Sequence, residues 1–250
     1  MRALITGAAT GLARAVAIEL ARSGWFEHVA VTYRETPADE ALARIAETGV
    51  SASAHRVEFL GHEATVAAAL EAALADGPYD VLVHGVGPMT IKRFEKTTAD
   101  DYRDMFDGNV RSAVLAARAV LPAMRERGFG RIVVFGMNGS SITRPAKGFS
   151  LHLAAKSALV AFARTLALEE AQHGITVNVV EPGDIRDKRL SRADAFTRTA
   201  ENPRGRPGTA EDVASAVRFF ADPGNDFVTG AVLAVTGGLQ TAAEPKAPPT

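Results

Sequence analysis

Sulfur chemistry is closed to this chain. Its 250 residues include no cysteine, so disulfides, thiolate nucleophiles and sulfur-ligated metals are all excluded. The histidines show no metal-ligand spacing and form no cluster with carboxylates, and no metal is expected. What the sequence offers instead is Thr6-Gly7-Ala8-Ala9-Thr10-Gly11-Leu12-Ala13 near its start. Glycines in this pattern, between an apolar run and an Ala-rich stretch, suit a tight strand-to-helix turn. The backbone N–H groups at the helix N-terminus then face outward with no side chain in the way, which makes a site for a phosphate or another anion.

Such a loop works only if a strand feeds it and a helix leaves it. Seven β-rich runs are expected to be strands: 3–6, 29–33, 52–57, 81–83, 131–135, 175–180 and 231–235. Several are almost continuously apolar, as strands covered by helices on both faces must be. Stretches such as 12–23, 99–127 and 151–173 are rich in helix formers. Gly24, Gly128 and Gly174 stand where C-terminal caps belong. The alternation is that of βαβ units, and it predicts an α/β, Rossmann-type doubly wound parallel sheet of about seven strands. With no linker and no internal repeat, residues 1–240 read as a single domain. Residues 241–250, rich in Ala and Pro, read as a flexible tail.

Hydrophobic residues make up 47% and charged residues 23% of the chain, ordinary for a soluble protein with a sizeable core. The formal charge is −1, and Lys and Arg are dispersed, so neither nucleic acid nor an anionic membrane is an expected partner. Too few residues precede the glycine loop for a signal segment, and no apolar run is of the roughly 18 to 20 residues that cross a bilayer. A cytoplasmic location is expected.

The loop and the motifs that follow it in order resemble the short-chain dehydrogenase/reductase family, 3-oxoacyl-ACP reductases in particular, from Arg2 to about Gly238. The family's loop is Thr-Gly-x-x-x-Gly-x-Gly; Thr6, Gly7 and Gly11 match, and Ala13 replaces the last glycine. Further matches are Asp80-Val-Leu-Val, Asn109-Val110, Gly130-Arg-Ile-Val, Ile175-Thr-Val-Asn-Val-Val with Pro182-Gly183, and Phe227-Val-Thr-Gly before Gly237-Gly238. The resemblance implies NAD(P)(H)-dependent hydride transfer to or from a small-molecule carbonyl or alcohol. It assigns Thr6, Gly7, Gly11, Leu12, Arg34, Gly85, Lys156, Pro182, Gly183 and Ile185 to the cofactor. After the second strand an acid suits a free ribose 2′-hydroxyl and an Arg suits a 2′-phosphate. Arg34 stands there, with Arg14 placed to assist, so NADP(H) is favoured over NAD(H). The family's adenine-placing acid is not cleanly matched, since Glu58-Phe59 occupies its region.

Family members reduce carbonyls with a tyrosine acid, a lysine four residues later, a serine and an asparagine. Lys156 and Asn109 match, but the tyrosine position is His152, and Tyr33, Tyr79 and Tyr102 all lie well upstream. Residues four apart share a helix face, so His152 and Lys156 point the same way. A neighbouring ammonium disfavours imidazolium and lowers the pKa below about 6.5. Reduction with His152 as acid is therefore expected to be weak and to rise as pH falls. Counted from the fifth strand the serine position falls on Met137, and counted back from His152 it falls on Gly139. Asn138, Ser140 and Ser141 are the alternatives, with Ser140 preferred.

Two other departures stand out. The family's Asn-Asn-Ala-Gly turn is His84-Gly85-Val86-Gly87, with His84 read as a strand-end hydrogen bonder, and Asp187 replaces a frequent threonine. The Arg-rich stretch 186–194, at the family's mobile lid, reads as a solvated face or as cations for an anionic substrate. Helices 99–127 and 151–173 imply a homotetramer or homodimer. Two functions follow: an oxidoreductase with a non-standard site, or a catalytically impaired NADP(H)-binding sensor or subunit partner.

Overall fold

The computed structural model describes residues 1–239; the tail expected at 241–250 lies outside the described residues. Seven strands form one parallel sheet: β1 (Arg2–Thr6), β2 (His28–Tyr33), β3 (Ser51–Arg56), β4 (Val81–His84), β5 (Gly130–Phe135), β6 (Ile175–Pro182) and β7 (Val232–Val235). Their order is β3-β2-β1-β4-β5-β6-β7, every neighbouring pair parallel. The Rossmann-type expectation therefore holds, and the order reverses between β1 and β4, where ligands of such sheets bind.

Helices cover both faces because side chains alternate along each strand. Ala3 and Ile5 of β1 join Val29, Val31, Val81 and Val83 in one core with α1 (Gly11–Arg22) and α8 (Ala210–Ala221). Leu4, Leu82, Ile132 and Val177 face the opposite way. They join residues of α3 (Glu63–Leu74), α5 (Ser112–Arg127) and α6 (Ser150–Glu170). Each fully buried aliphatic side chain of this kind contributes about 1.5–3 kcal/mol. Two further helices are α2 (Asp39–Ala46) and the short α7 (Arg192–Ala195).

The expected helix 99–127 is interrupted. It consists of α4 (Ala99–Phe106) and α5 joined by a wider π turn, Asp107–Arg111. The Ser112 backbone N–H donates to the Asp107 carbonyl, five residues back. The Asn109 side-chain amide meanwhile donates to the Met105 carbonyl at 2.9 Å. A side chain has thus taken a backbone acceptor within the turn, and π turns are frequent at functional sites.

Helix Ser150–His173 is, by length and mean composition, apolar enough to cross a membrane, although Lys156 and Arg164 interrupt it, so it is not a continuous apolar run of bilayer length. In the fold it packs against β6, with Ala155, Leu159, Val160 and Ala163 buried. The same helix carries His152 and Lys156.

Candidate active site

The glycine loop is shaped by backbone angles that side chains resist. Gly7 and Gly11 have φ of +66° and +68°, the left-handed region where a Cβ is costly. The Gly7 N–H is held by Thr32 Oγ1 at 3.0 Å and the Ala8 N–H by the Thr32 carbonyl at 3.0 Å, which fasten the loop to β2. The N-cap Thr10 makes no side-chain cap bond, and α1 has no acid in its first turn. Its terminal N–H groups are open to an anion.

From this loop a cavity of about 330 Å³ runs across the switch point, lined among others by Thr10, Arg34, Glu58, Gly85 and Gly87. Its anion-ready end and its polar rim suit a dinucleotide. Arg34 stands half exposed at that rim, 3.3 Å from Glu35 and 3.8 Å from Glu58. Arg14 does not join it, because its guanidinium pairs with Glu40. Pro182, Gly183 and Ile185 lie at the end of β6, outside the lining of that cavity.

The replacements at 13 and 85 are one structural feature. A Cβ on Gly85 would stand 2.5 Å from the Ala13 Cβ and 2.6 Å from the Thr6 carbonyl oxygen. The methyl gained at position 13 fills the space that any side chain at 85 would need. The Ala13 methyl and the Thr6 carbonyl together leave room only for glycine at 85.

His152, Lys156 and Asn109 converge around Gly87 and Pro88, two residues of the cavity wall, and none of the three is itself in the lining. The first turns of α6 carry His152 and Lys156, which are 5% and 6% exposed, and the π turn carries the fully buried Asn109. Lys156 Nζ donates to the Phe135 carbonyl at 2.6 Å. Asn109 Nδ2 donates to the Pro88 carbonyl at 3.0 Å as well as to Met105. A Cβ on Gly87 would lie 2.9 Å from Asn109 Oδ1 and 3.0 Å from Lys156 Nζ, so both atoms flank that glycine. His152 also hydrogen-bonds the Pro88 carbonyl. Its Nδ1 and Asn109 Oδ1 are buried without a partner, which makes Nε2 the donor. Two orphaned acceptors in one place call for a donor-bearing ligand or a water.

The charge states follow from burial. Burial first, then the charge of Lys156, bring the His152 imidazole down to about 4, opposed by the Pro88 bond. The sequence argument had the direction and the lysine; the larger cause is desolvation. Burial alone lowers Lys156 to about 8. At neutral pH the site holds a neutral imidazole beside an ammonium.

Ser140, the preferred serine from the sequence, is engaged elsewhere. Its hydroxyl donates to Glu181 Oε1 at 2.7 Å and accepts from the Met137 N–H at 3.1 Å. The fully buried Glu181, at the end of β6, also accepts from the N–H groups of Ser141 and Gly139, at 2.6 and 3.2 Å. Sequence reasoning missed Glu181, although its signal was visible: a carboxylate in an apolar strand must find partners. Asn138 Oδ1 is buried without a partner.

A sequence profile described as enoyl-(acyl carrier protein) reductase matches residues 7–240. The chain is 32% identical over 241 residues to the 3-oxoacyl-[acyl-carrier-protein] reductase FabG of Haemophilus influenzae, covering 95% of this chain and 97% of that one. It is 35% identical over 248 residues to YtkK of Bacillus subtilis, covering 95% of each. The chain belongs to the short-chain dehydrogenase/reductase family. It is an oxidoreductase by type. Solved members of similar shape include an acetoin dehydrogenase from Enterobacter cloacae, with TM-score 0.86 and 29% identity over 99% of this chain and 98% of that one. A variant of the actinorhodin polyketide ketoreductase solved with NADPH has TM-score 0.83 and 30% identity, covering 96% and 97%.

The Arg-rich segment that follows β6 in this short-chain dehydrogenase/reductase is partly neutralised. Arg192 and Arg206 both bond Asp212, and Arg186 pairs with Asp184. Lys188 lies over the glycine loop, its Cδ 3.4 Å from where a Gly11 Cβ would be. Among the described residues, no group of three His, Cys, Asp or Glu is placed to hold a metal.

Proposed function

We propose that the protein is an NADP(H)-dependent oxidoreductase, with NAD(H) the weaker alternative, acting on a small carbonyl or alcohol through a non-standard site. One observation carries this reading: a single cavity joins an open helix N-terminus and Arg34 to the glycine wall flanked by Lys156 and Asn109. Residues 1–240 form its single domain, working in the cytoplasm as a homotetramer or homodimer. The dinucleotide, when bound, supplies or accepts the hydride.

The protein's own part is to orient and to handle charge. Thr6, Gly7, Gly11 and Leu12 frame the phosphates, and Arg34 faces the adenosine ribose. Pro182, Gly183 and Ile185 close the nicotinamide side. Lys156 holds the nicotinamide ribose and brings its ammonium to the oxygen that gains negative charge during reduction. Asn109 Oδ1 and His152 Nδ1 present only lone pairs, and they accept from an alcohol O–H or an ordered water. His152 becomes a proton donor only when protonated, so reduction through it rises as pH falls toward 4.

A second reading is a dinucleotide-binding sensor or subunit partner without turnover. It is supported by the commitment of Ser140 to Glu181 and by the neutral state of His152.

Purified protein would be titrated with NADPH and NADH, then assayed for NADPH oxidation with ketones, quinones and 3-oxoacyl thioesters between about pH 5 and 8. Turnover that rises toward acid and disappears in His152→Ala supports the enzyme. Binding without turnover, restored by His152→Tyr, supports the second reading, and absence of dinucleotide binding removes both.

A further inference from the structure

His84 stands at the end of β4, fully enclosed, between the glycine loop and the π turn that carries Asn109. Both ring nitrogens are engaged: Nδ1 lies 2.9 Å from Thr6 Oγ1 and Nε2 lies 2.9 Å from Ser112 Oγ. The neighbours fix which nitrogen carries the proton. Ser112 gives its one hydroxyl hydrogen to the Gly108 carbonyl at 2.6 Å, so its oxygen accepts from the ring and Nε2 must be protonated. Thr6 Oγ1 accepts from the Gly85 N–H at 3.1 Å, and its own hydrogen is left to donate to Nδ1. The result is one directed chain in which every hydrogen has an acceptor. It runs Gly85 N–H to Thr6, Thr6 to His84 Nδ1, His84 Nε2–H to Ser112, and Ser112 to Gly108.

We infer that His84 is a positioning residue, a neutral Nε2-protonated imidazole that holds the phosphate-binding glycine loop and the Asn109 turn in register with one another. The chain begins at Gly85, which lines the dinucleotide cavity, and at Thr6, whose neighbour Gly7 lines it, and ends at Gly108, which lines the same cavity and immediately precedes Asn109. A single rigid ring spans the interval. A protonated ring would have hydrogens on both nitrogens, and Thr6 would lose its acceptor. Surroundings keep the ring neutral: burial, then the charge of Lys156, hold it down at about 3, and Phe59 packs edge-on at 5.7 Å. The inference deepens the dinucleotide reading, since the register it maintains is between the phosphate end and the reactive end of that cavity.

The test uses the intact protein. Long-range ¹H–¹⁵N spectra, with the His84 ring assigned by comparison with His84→Gln, should show protonated Nε2, bare Nδ1 and no titration between about pH 5 and 9. A protonated Nδ1, or titration in that range, overturns the inference. Ser112→Ala, which removes a group outside the cavity lining, should raise amide exchange at residues 6–12 about tenfold. It should do so without changing exchange in β5 and β6, and Ser112→Thr should restore it. Exchange altered only around 105–112, or uniformly across the sheet, overturns the coupling. NADPH binding should weaken severalfold in Ser112→Ala. If the wild type binds no dinucleotide, the proposed function fails, while the ring spectra and the exchange pattern still decide the role of His84.

Discussion

Two buried histidines lie close enough to Lys156 to feel its charge, and they have opposite characters. His84 has a hydroxyl partner on each nitrogen and a backbone group beyond each hydroxyl. His152 spends one nitrogen on the Pro88 carbonyl and leaves the other, a lone pair, without a partner. Burial and the same ammonium lower both rings. Low pKa therefore does not separate them; hydrogen-bond accounting does. A satisfied ring is part of the scaffold, and an unsatisfied one awaits a ligand.

The largest effect should come from the group both histidines face. Lys156→Ala is expected to lower kcat by roughly 10²–10³, because it removes the cation beside the reacting oxygen. NADPH titration and single-turnover assays would measure the loss, and kcat within threefold of wild type would put the chemistry elsewhere.

The next comparison is between the rings themselves. His84→Phe strips partners from Thr6 and Ser112 and should cost about 1–3 kcal/mol of stability in urea unfolding. His152→Phe should cost less than about 1 kcal/mol, since Asn109 still serves the Pro88 carbonyl. It should nonetheless abolish the acid-side rise in activity. Equal losses from the two variants would break the distinction between them.

Gly85 tests the scaffold side from another direction. Gly85→Ala should destabilise by about 1–3 kcal/mol through overpacking against Ala13 and the Thr6 carbonyl, and Ala13→Gly in the same chain should recover little of it, because the backbone clash with Thr6 stays.

Stability against pH sharpens the same contrast. The native rings refuse protons until about 3 and 4, whereas unfolded histidine takes them up below its ordinary 6.5. Stability should therefore fall as pH falls from 6.5 toward those values. His152→Phe should flatten part of that slope. Lys156 acts in the alkaline range: lowered to about 8 from 10.5, it binds fewer protons folded than unfolded, so stability should rise as pH climbs between those values.

The smallest effect concerns cofactor choice. Arg34 is half exposed and shares two carboxylate neighbours, so Arg34→Ala should weaken NADPH binding about tenfold or less and leave NADH binding nearly unchanged, loss of about 1 kcal/mol being usual for an exposed charge pair. Equal weakening of both would assign Arg34 to the loop rather than to the phosphate.

Much of the fold was legible because its signals are local. Apolar runs marked all seven strands within a residue or two of their observed ends, and Gly128 and Gly174 do close their helices in the left-handed conformation. The π turn was not legible, since an uninterrupted helical composition conceals a side chain that captures a carbonyl.

The sequence by itself determined the glycine loop, the alternation of strands and helices that implies a parallel sheet, and the nearness of His152 to Lys156, all of which depend on neighbours or near neighbours along the chain. Only the tertiary structure decided which polar atoms are satisfied. Ser140 meets Glu181 across 41 positions and Thr6 meets His84 across 78. Whether a buried polar group is scaffold or open site depends on what stands opposite it in space, and spacing along the chain does not specify that.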